Sequence, residues 1–323
     1  MLKLPNDTAP RGPFLHEHLP DAGAARIVRH IAEALPPLAE RLAAGTLPGD
    51  PAALVGNNES GDAQKALDVG AHDFMLDALR GCDIRHVLSE EAEEVVTLDP
   101  NGAFDLAMDP IDGSGSIGIG GILGTLFAIY PAGTGDFRRP GSEAVGAGYA
   151  CFGHSTDFAY SLGDGTHIAT YDHVAGDFRI TTERAMLPAA SSMLAYNASN
   201  ERHWSAGLQA YAADVRLGRD GPRGKDFNMR WLAAAVGDLH RILLKGGAFL
   251  YPADARKGYG RGRLRLAYEA VPIAFLVEQA GGKASDGATR ILDLVPETPH
   301  AFCPLVFGST EEVEVIEGYI ARG

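Results

Sequence analysis

The residues with the clearest chemical potential are two aspartates, Asp109 and Asp112, which flank a proline and directly follow an alternating apolar run at 104–108. That alternation predicts a strand, which would hold both carboxylates at its carboxyl end, three residues apart. Carboxylate oxygens fixed in this way can bind a hard cation such as Mg²⁺. Next along the chain, Gly113 and Ser114 let backbone N–H groups turn towards an anion and form a concave nest for phosphate oxygens. A metal site beside a phosphate nest predicts phosphoryl-transfer chemistry.

Further acidic residues lie at the ends of other predicted elements. They are Asp62, Asp68, Glu90, Glu91 and, far downstream, Glu269. Taken one at a time, such residues are more often solvated surface charges than ligands. A role in the same site requires the fold to bring them to the two aspartates.

Several motifs resemble known phosphatases. The stretch DPIDGS at 109–114 resembles the metal signature of the lithium-sensitive phosphatase superfamily, which includes inositol monophosphatases. The surrounding chain is closer to class 1 fructose-1,6-bisphosphatases. The segments that resemble this family, in family order, are GDAQKALD at 61–68, SEE at 89–91, LGTLFAIY at 123–130, FLYP at 249–252, LRLAYE at 264–269 and EQAGG at 278–282. The resemblance runs from about residue 61 almost to the C-terminus.

This resemblance implies how the carboxylates are used. The implied metal ligands are Glu90, Glu91, Asp109, Asp112 and Glu269, together with the backbone carbonyl of Ile111. The residues implied to position and deprotonate the attacking water are Asp62, Asp68 and Glu91. We expect two or more Mg²⁺ ions per subunit, with Mn²⁺ as a substitute, because such ions lower the pKa of bound water and neutralise phosphoryl oxygens.

The family resemblance also implies the substrate and its contacts. The expected reaction hydrolyses the 1-phosphate of fructose 1,6-bisphosphate to give fructose 6-phosphate. The residues implied to bind the reacting phosphate and the sugar are Asp112, Gly113, Ser114, Arg263 and Arg265. Those implied to bind the distal phosphate are Asn197, Tyr251 and Arg230, with Arg230 reaching in from a neighbouring subunit of a homotetramer.

The chain departs from the family pattern at several positions. Arg263 stands where lysine is usual, and Trp231 where a phosphate-binding tyrosine is typical. After Ser114 the chain continues GSIG instead of the usual Ser-Asn-Ile-Asp, which removes an amide and a carboxylate. The loop that binds AMP in many members has no counterpart around 18–23, and Ala103 and Phe104 replace the lysine and tyrosine expected beside it. We therefore predict weak or absent AMP inhibition, which a submicromolar inhibition constant would contradict.

Other functions compete with this interpretation. The stretch GSGSIG at 113–118 fits the G-x-G-x-x-G fingerprint of NAD-dependent oxidoreductases, but that fingerprint needs a helix immediately afterwards, and the following IGGILG is too glycine-rich to begin one. A non-catalytic sugar-phosphate sensor would not need Asp68 and Glu91. Sedoheptulose 1,7-bisphosphate remains open as a substrate, and so does the choice between gluconeogenesis and carbon fixation. The pair His16 and His18 could suggest a second metal site, although histidines near a terminus more often bind nothing.

Composition restricts the partners. The 323 residues carry a formal net charge of −14, which argues against binding nucleic acid because that requires a basic face. Three widely spaced cysteines, Cys82, Cys151 and Cys303, resemble neither a disulfide framework nor a zinc site. The N-terminus has no apolar signal-peptide region, and no apolar run reaches the ~18 residues of a membrane span. These features predict a cytoplasmic protein with no membrane partner.

The elements that would position these residues follow from apolar periodicity. It predicts a helix over 27–42 that is kinked or divided at Pro36-Pro37. A second predicted helix is capped by Asp62 and has an apolar stripe at Leu67, Ala71, Phe74 and Ala78. Strands are predicted at 84–88, 104–108 and 122–130. Turn signals within 143–182 predict a β-meander. The last third contains predicted helices that end at Gly246 and Gly281 and one begun by a capping box of Ser309 and Glu312.

These elements indicate an α/β (α+β) protein, and the family resemblance implies a layered α/β/α/β/α sandwich of the sugar-phosphatase type. A boundary near residue 185 would divide the chain into an N-terminal domain, 1–185, with the acidic metal motifs, and a C-terminal sugar-phosphate-binding domain, 186–323.

Overall fold

The first half of the chain forms an eight-stranded sheet. The computed structural model describes residues 4–5, 7–8, 12–57 and 63–323. A short antiparallel pair, β1 (Leu54–Asn57) and β2 (Ala63–Lys65), comes first. The strands of the large sheet follow as β3 (Ile84–Ser89), β4 (Val96–Thr97), β5 (Phe104–Asp112), β6 (Leu123–Pro131), β7 (Gly146–Phe152), β8 (Thr156–Ser161), β9 (Thr166–Asp172) and β10 (Asp177–Ala185).

The order in this sheet is β10-β9-β8-β7-β6-β5-β3-β4. Strands β5 to β10 pair antiparallel with their neighbours in the chain, which confirms the predicted meander, whereas β3 and β5 are parallel. Because β3 and β5 are parallel, their carboxyl ends lie side by side at the same end of the sheet. The acidic residues that follow these two strands are thereby brought together.

Helices cover one face of the large sheet. They are α1 (Leu15–His18), α2 (Gly23–Ala43) and α3 (Ala66–Ala78), followed by a short 3₁₀ turn, Ser114–Ser116. Ile27, Ile31 and Leu35 of α2 are fully buried in one cluster with Phe127 and Phe158 of the sheet. Since strands β6 to β8 are buried on both faces, apolar layers must lie on either side of them.

A five-stranded sheet is built by the second half of the chain. Its strands are β11 (Met193–Ala195), β12 (Asn228–Met229), β13 (Ala248–Tyr251), β15 (Lys283–Ser285) and β17 (Leu305–Gly308), in the order β12-β11-β13-β17-β15. A separate pair consists of β14 (Leu264–Arg265) and β16 (Phe302–Cys303). The helices are α4 (Ala206–Leu217), α5 (Ala235–Lys245), α6 (Val271–Gln279) and α7 (Thr310–Ile320), with a π-helix, Leu266–Ala270, before α6 and short 3₁₀ helices at Gly141–Glu143, Ala198–His203, Gly218–Asp220 and Ile291–Asp293.

The two sheets and their helices stack as five layers. Helices α5 and α6 share one apolar cluster with the facing sides of both sheets. Helices α4 and α7 pack on the outer face of the five-stranded sheet, in a cluster that includes Tyr211, Val306 and Ile316. The predicted α/β/α/β/α sandwich is therefore confirmed. Within the described ranges, no helix combines the length and the apolarity needed to cross a membrane.

The first two helices differ from their predictions. Helix α2 continues through Pro36 and Pro37 and is not divided, because its buried apolar face outweighs the hydrogen bonds that the prolines remove. Helix α3 begins at Ala66, with Lys65 at its N-cap, so the predicted start at Asp62 is wrong; Asp62 itself lies outside the described residues. The next helical turns bury Met75 in place of Phe74, which is 38% exposed.

The predicted capping box of the last helix is also wrong. Ser309 occupies the N-cap of α7 but its side chain makes no cap hydrogen bond there, and its Oγ instead accepts from the Gly247 N–H at 3.2 Å. The side chain of Glu312 turns into the interior, where Arg223 outcompetes the helix terminus for its carboxylate.

Candidate active site

Strand β5 delivers the two aspartates, both nearly inaccessible to solvent: Asp109 is 2% exposed and Asp112 5%. Between them the pairing with β6 shifts, so that three residues along β5 oppose two along β6. Such a β-bulge re-aims side chains and is common beside active sites. The Ile111 N–H donates to Asp109 Oδ1 at 2.9 Å, and Thr125 Oγ1 donates to the Pro110 carbonyl at 2.8 Å, which holds the bulge in place.

A third carboxylate arrives from more than 150 residues downstream. Glu269 lies in the π-helix after β14, is 7% exposed, and accepts a hydrogen bond from the Arg265 N–H at 2.5 Å. Oxygen atoms of Asp109, Asp112 and Glu269 lie within 4.8 Å of one another. π-Helices are rare in proteins, but those that occur are often at functional sites. Here the π-helix places Glu269 at the end of β5.

The glutamate pair and the first aspartate motif lie beside this cluster. The Glu90 N–H donates to the Met108 carbonyl at 3.2 Å, which ties the end of β3 to the end of β5. Gln64 Nε2 donates to Glu91 Oε2 at 2.7 Å. Asp68, 3% exposed in the first turn of α3, accepts from the Lys65 N–H at 3.3 Å.

The electrostatics of the cluster favour a cation. Burial, reinforced by the charge of Glu91, raises the pKa of Glu90 to about 7 and that of Asp68 to about 6. Burial and repulsion from Glu90 raise the pKa values of Asp109 and Glu269 well above their ordinary range. Negative charge is costly in this site until a cation shares it. Buried oxygen donors within reach of one ion suit a hard divalent metal such as Mg²⁺, so the residues fit the implied cofactor.

The predicted phosphate nest has the required backbone. Gly113 has φ +87°, in the left-handed region that favours glycine, and a Cβ there would lie 2.9 Å from the Ala234 Cβ. The Val236 N–H donates to Asp112 Oδ2 at 2.8 Å, which brings the first turn of α5 against the nest. Lys65 donates through Nζ to the Ser114 carbonyl and ties the nest to the start of α3.

A cavity of about 180 Å³ extends from the nest towards the five-stranded sheet. Of the predicted substrate-binding residues, Asp112, Gly113, Asn197 and Tyr251 line it, and so does Trp231. The cavity therefore joins the acidic cluster to the residues expected at the distal phosphate. Its dimensions suit a small phosphorylated molecule.

The three predicted arginines lie outside the cavity lining. Arg265 is 3% exposed, with its guanidinium carbon 3.7 Å from the centre of the Phe302 ring, and its charge counteracts that of Glu90 and Glu269. Arg263 stacks on the same ring at 4.9 Å. Arg230 is exposed, and its Nη1 donates to Asn228 Oδ1 at 2.7 Å.

Comparisons with known proteins identify the family. Two family models, described as the N-terminal and C-terminal domains of fructose-1-6-bisphosphatase, match residues 44–183 and 187–321. The chain belongs to the class 1 fructose-1,6-bisphosphatase family. A class 1 fructose-1,6-bisphosphatase of Brucella anthropi is 52% identical over 286 residues, which cover 88% of this chain and 84% of that protein. One of Brucella suis is 51% identical over the same shares.

Solved structures agree with this membership. The crystal structure of Leishmania major fructose-1,6-bisphosphatase in holo form superposes with a TM-score of 0.89 at 27% identity, covering 97% of this chain and 100% of that one. The T-state of the same protein gives 0.84 at 26% identity with the same coverage. The predicted family, fold and phosphatase activity are thereby confirmed.

Two competing functions are excluded for this bisphosphatase. The glycine-rich stretch at 113–118 is followed by no helix, since only the single 3₁₀ turn Ser114–Ser116 forms there before β6, so it is not a dinucleotide-binding motif. A non-catalytic sensor disagrees with the enzyme family. Among the described residues, the clustered carboxylates at Asp109 are the one candidate metal group, and His16 instead contacts the Asp177 carboxylate.

Sequence reasoning missed two polar residues at this bisphosphatase site. Asp254 lines the cavity and is 8% exposed, and Arg256 donates to its carboxylate through Nε at 3.0 Å. Asp238, fully buried in α5, accepts from the Leu232 N–H at 3.0 Å and shapes the turn that forms the cavity wall. The position of Asp254, just after the FLYP motif, was the one signal available in the sequence. Cys82, Cys151 and Cys303 are buried and free.

Proposed function

We propose that this protein hydrolyses the 1-phosphate of D-fructose 1,6-bisphosphate with the help of Mg²⁺. The single observation that carries the proposal is the juxtaposition of three buried carboxylates, Asp109, Asp112 and Glu269, with the Gly113 nest, which lines one cavity together with Asp112. The cluster supplies a cation site, and the nest supplies donors for phosphate oxygens. Membership of the bisphosphatase family supports the same reaction.

The metal site would use the full acidic set. Asp109, Asp112, Glu269, Glu90, Glu91 and the Ile111 carbonyl would hold two or more Mg²⁺ ions, with Mn²⁺ as a substitute. When bound, such ions lower the pKa of water, neutralise phosphoryl oxygens and stabilise the leaving alkoxide. The raised pKa values of these carboxyls in the metal-free protein support the proposal, because a cation would relieve the repulsion that causes them.

The proton of the attacking water would pass to carboxylates beside the ligands. Asp68, whose pKa burial raises to about 6, is matched to proton uptake near neutral pH. Gln64 fixes the orientation of Glu91 by its 2.7 Å hydrogen bond. Asp62 would share this role. In-line attack would then transfer the phosphoryl group from the sugar to water.

Substrate binding would use both ends of the cavity. Asp112, Gly113 and Ser114 would receive the 1-phosphate and the adjoining sugar, with Arg263 and Arg265 supplying positive charge. The distal 6-phosphate would sit against Asn197 and Tyr251, which also line the cavity. Arg230 would complete this subsite in a neighbouring subunit of a homotetramer, which its exposure and its position outside the lining of the cavity in its own chain support.

We infer an N-terminal domain over 1–185 that carries the metal motifs and a C-terminal sugar-phosphate domain over 186–323, in a cytoplasmic homotetramer with no nucleic-acid or membrane partner. Sedoheptulose 1,7-bisphosphate is the alternative substrate, because it presents the same reacting end and differs by one carbon. Gluconeogenesis and carbon fixation would both supply a substrate of this kind.

The experiment that tests the proposal measures phosphate release from fructose 1,6-bisphosphate, sedoheptulose 1,7-bisphosphate and inositol monophosphate across a Mg²⁺ titration. We expect Mg²⁺-dependent release from the fructose substrate, with kcat/KM far above that for inositol monophosphate. Higher kcat/KM with the sedoheptulose substrate would change the substrate assignment. Release that is insensitive to Mg²⁺ and to chelators would overturn the metal assignment.

A further inference from the structure

A buried carboxylate paired with cations of the protein lies outside the catalytic site. Glu312, in the first turn of α7, is 1% exposed. Arg223 donates to both of its oxygens, from Nη1 at 2.8 Å and from Nη2 at 2.9 Å, and Lys225 Nζ donates at 3.1 Å. The Tyr211 hydroxyl adds a fourth hydrogen bond at 2.7 Å. We name these four residues the Glu312 clamp.

The clamp carboxylate is held ionised. Burial by itself would raise the pKa of Glu312, but hydrogen bonds from Arg223 and Tyr211 and the charges of Arg223 and Lys225 lower it below the ordinary value. A bidentate arginine–carboxylate pair fixes orientation as well as supplying energy. The clamp is therefore a geometric restraint between α7 and the chain that carries its two cations.

Both cations belong to one irregular segment, residues 218–234, which runs along the edge of the five-stranded sheet. The segment contains one regular strand, the two-residue β12, and its backbone is tied to β11 by Asn228 N–H to Ser192 O at 2.8 Å and Arg230 N–H to Leu194 O at 2.7 Å. Lys225 also donates to the Ser191 carbonyl at 2.9 Å. So short a strand depends on these side-chain anchors for its placement.

The same segment forms part of the substrate site. Beyond β12 it presents Arg230 and Trp231, and then Ala233 and Ala234, and all of these except Arg230 line the cavity. Its far end is held by the hydrogen bond from the Leu232 N–H to Asp238. One end of the segment is thus fixed by Glu312 and the other by Asp238, with the residues expected at the distal phosphate between them.

We propose that Glu312 is a positioning residue for substrate binding: through Arg223 and Lys225 it holds the 218–234 segment so that Arg230 and Trp231 can meet the distal phosphate. The inference rests on the proposed function. Glu312 itself contacts no residue of the acidic cluster among its hydrogen-bond and ion-pair partners in the described chain. Its influence should therefore appear in KM and leave the chemical step intact.

The test compares Glu312→Gln with Glu311→Gln, an exposed neighbour in the same helical turn, in the full-length enzyme. We expect Glu312→Gln to raise KM for fructose 1,6-bisphosphate about tenfold, because a misplaced hydrogen bond to a charged phosphate weakens binding by about an order of magnitude. The value of kcat and the Mg²⁺ dependence should remain within about twofold, and Glu311→Gln should match the unmodified enzyme. KM for p-nitrophenyl phosphate, which has no distal phosphate, should stay unchanged.

A second variant covers a loss of folding. Lys225→Ala removes one partner and leaves the Arg223 pair, and it should raise the bisphosphate KM by a few fold, non-additively with Glu312→Gln. If the unmodified enzyme is active and both variants keep its KM for the bisphosphate, the positioning role is overturned and the proposed function stands. Equal KM increases for the bisphosphate and for p-nitrophenyl phosphate would also overturn it. No phosphate release by the unmodified enzyme would overturn the proposed function and this role with it.

Discussion

The catalytic cluster and the Glu312 clamp bury the same chemical group with opposite electrostatic results. Around Asp109, burial and neighbouring carboxylates raise the pKa, whereas at Glu312 an arginine and a lysine lower it. The clamp contains its own cations and is complete within the chain. The catalytic cluster has more negative charge than its neighbouring cations neutralise, so a bound metal ion would be needed to balance it. In this protein the buried carboxylate that has its own cations acts as a structural restraint, and the cluster whose negative charge exceeds that of its cations is the candidate metal site.

The largest effect should come from breaking the clamp. Glu312→Ala leaves Arg223 and Lys225 without their buried counter-charge, so we expect the free energy of unfolding to fall by about 3–5 kcal/mol. The loss should be the same with and without Mg²⁺, because the clamp holds no metal. Urea unfolding followed by circular dichroism measures it. Glu311→Ala, on the exposed side of the same turn, is the control and should change the stability by less than about 0.5 kcal/mol.

Asp109→Asn should separate stability from activity in the catalytic cluster. Removing this charge should lower kcat about 100-fold or more, since the ions lose a ligand. In the presence of a chelator the same variant should unfold at a higher temperature than the unmodified protein, because one repulsive charge has gone.

The control for that variant is Asp73→Asn, which changes an exposed aspartate of α3. Phosphate-release assays and thermal unfolding in the presence of a chelator measure the two effects. An Asp109→Asn enzyme of normal activity would show that the metal assignment is wrong, and an unchanged unfolding temperature would contradict the electrostatic argument.

A smaller effect should appear in the pH dependence of stability. The pKa values of Asp68 and Asp112 rise from an ordinary 3.8 to about 6 on folding. Their protonated forms therefore stabilise the metal-free fold below pH 3.8, and this contribution is lost as the pH rises through about 6. Glu312 has the opposite sign: its contribution is present above its ordinary pKa of 4.5 and is lost as the pH falls below it.

Urea unfolding between pH 4 and about 8 tests this difference. In a chelator, the free energy of unfolding should decline as the pH rises through about 6, and added Mg²⁺ should reduce the decline because ions favour the ionised carboxylates. Equal slopes with and without Mg²⁺ would argue against a metal site at these residues.

Part of the site could be predicted because the strands that carry it have recognisable local sequence patterns. The alternation before Asp109, the turn signals of the meander and the ordered motifs depend on neighbours within a few residues, and the structure confirms the strands and the layered fold that they indicate. Predictions that depended on competition between local and distant partners fared worse. Glu312 was expected at a helix cap, which is wrong because buried contacts outweigh that local preference. The two prolines of α2 were expected to kink or divide the helix, and it is not divided.

The amino-acid sequence alone determined the family, the strand that carries Asp109 and Asp112, and the chemistry that two carboxylates and a glycine can perform. Only the folded chain decided that Glu269 reaches these residues, that Arg230 pairs with Asn228 and that Glu312 is paired with Arg223. The reason is physical: periodicity and turn residues act between neighbours in the chain. Burial and charge pairing act between residues that are close only after the two sheets have packed.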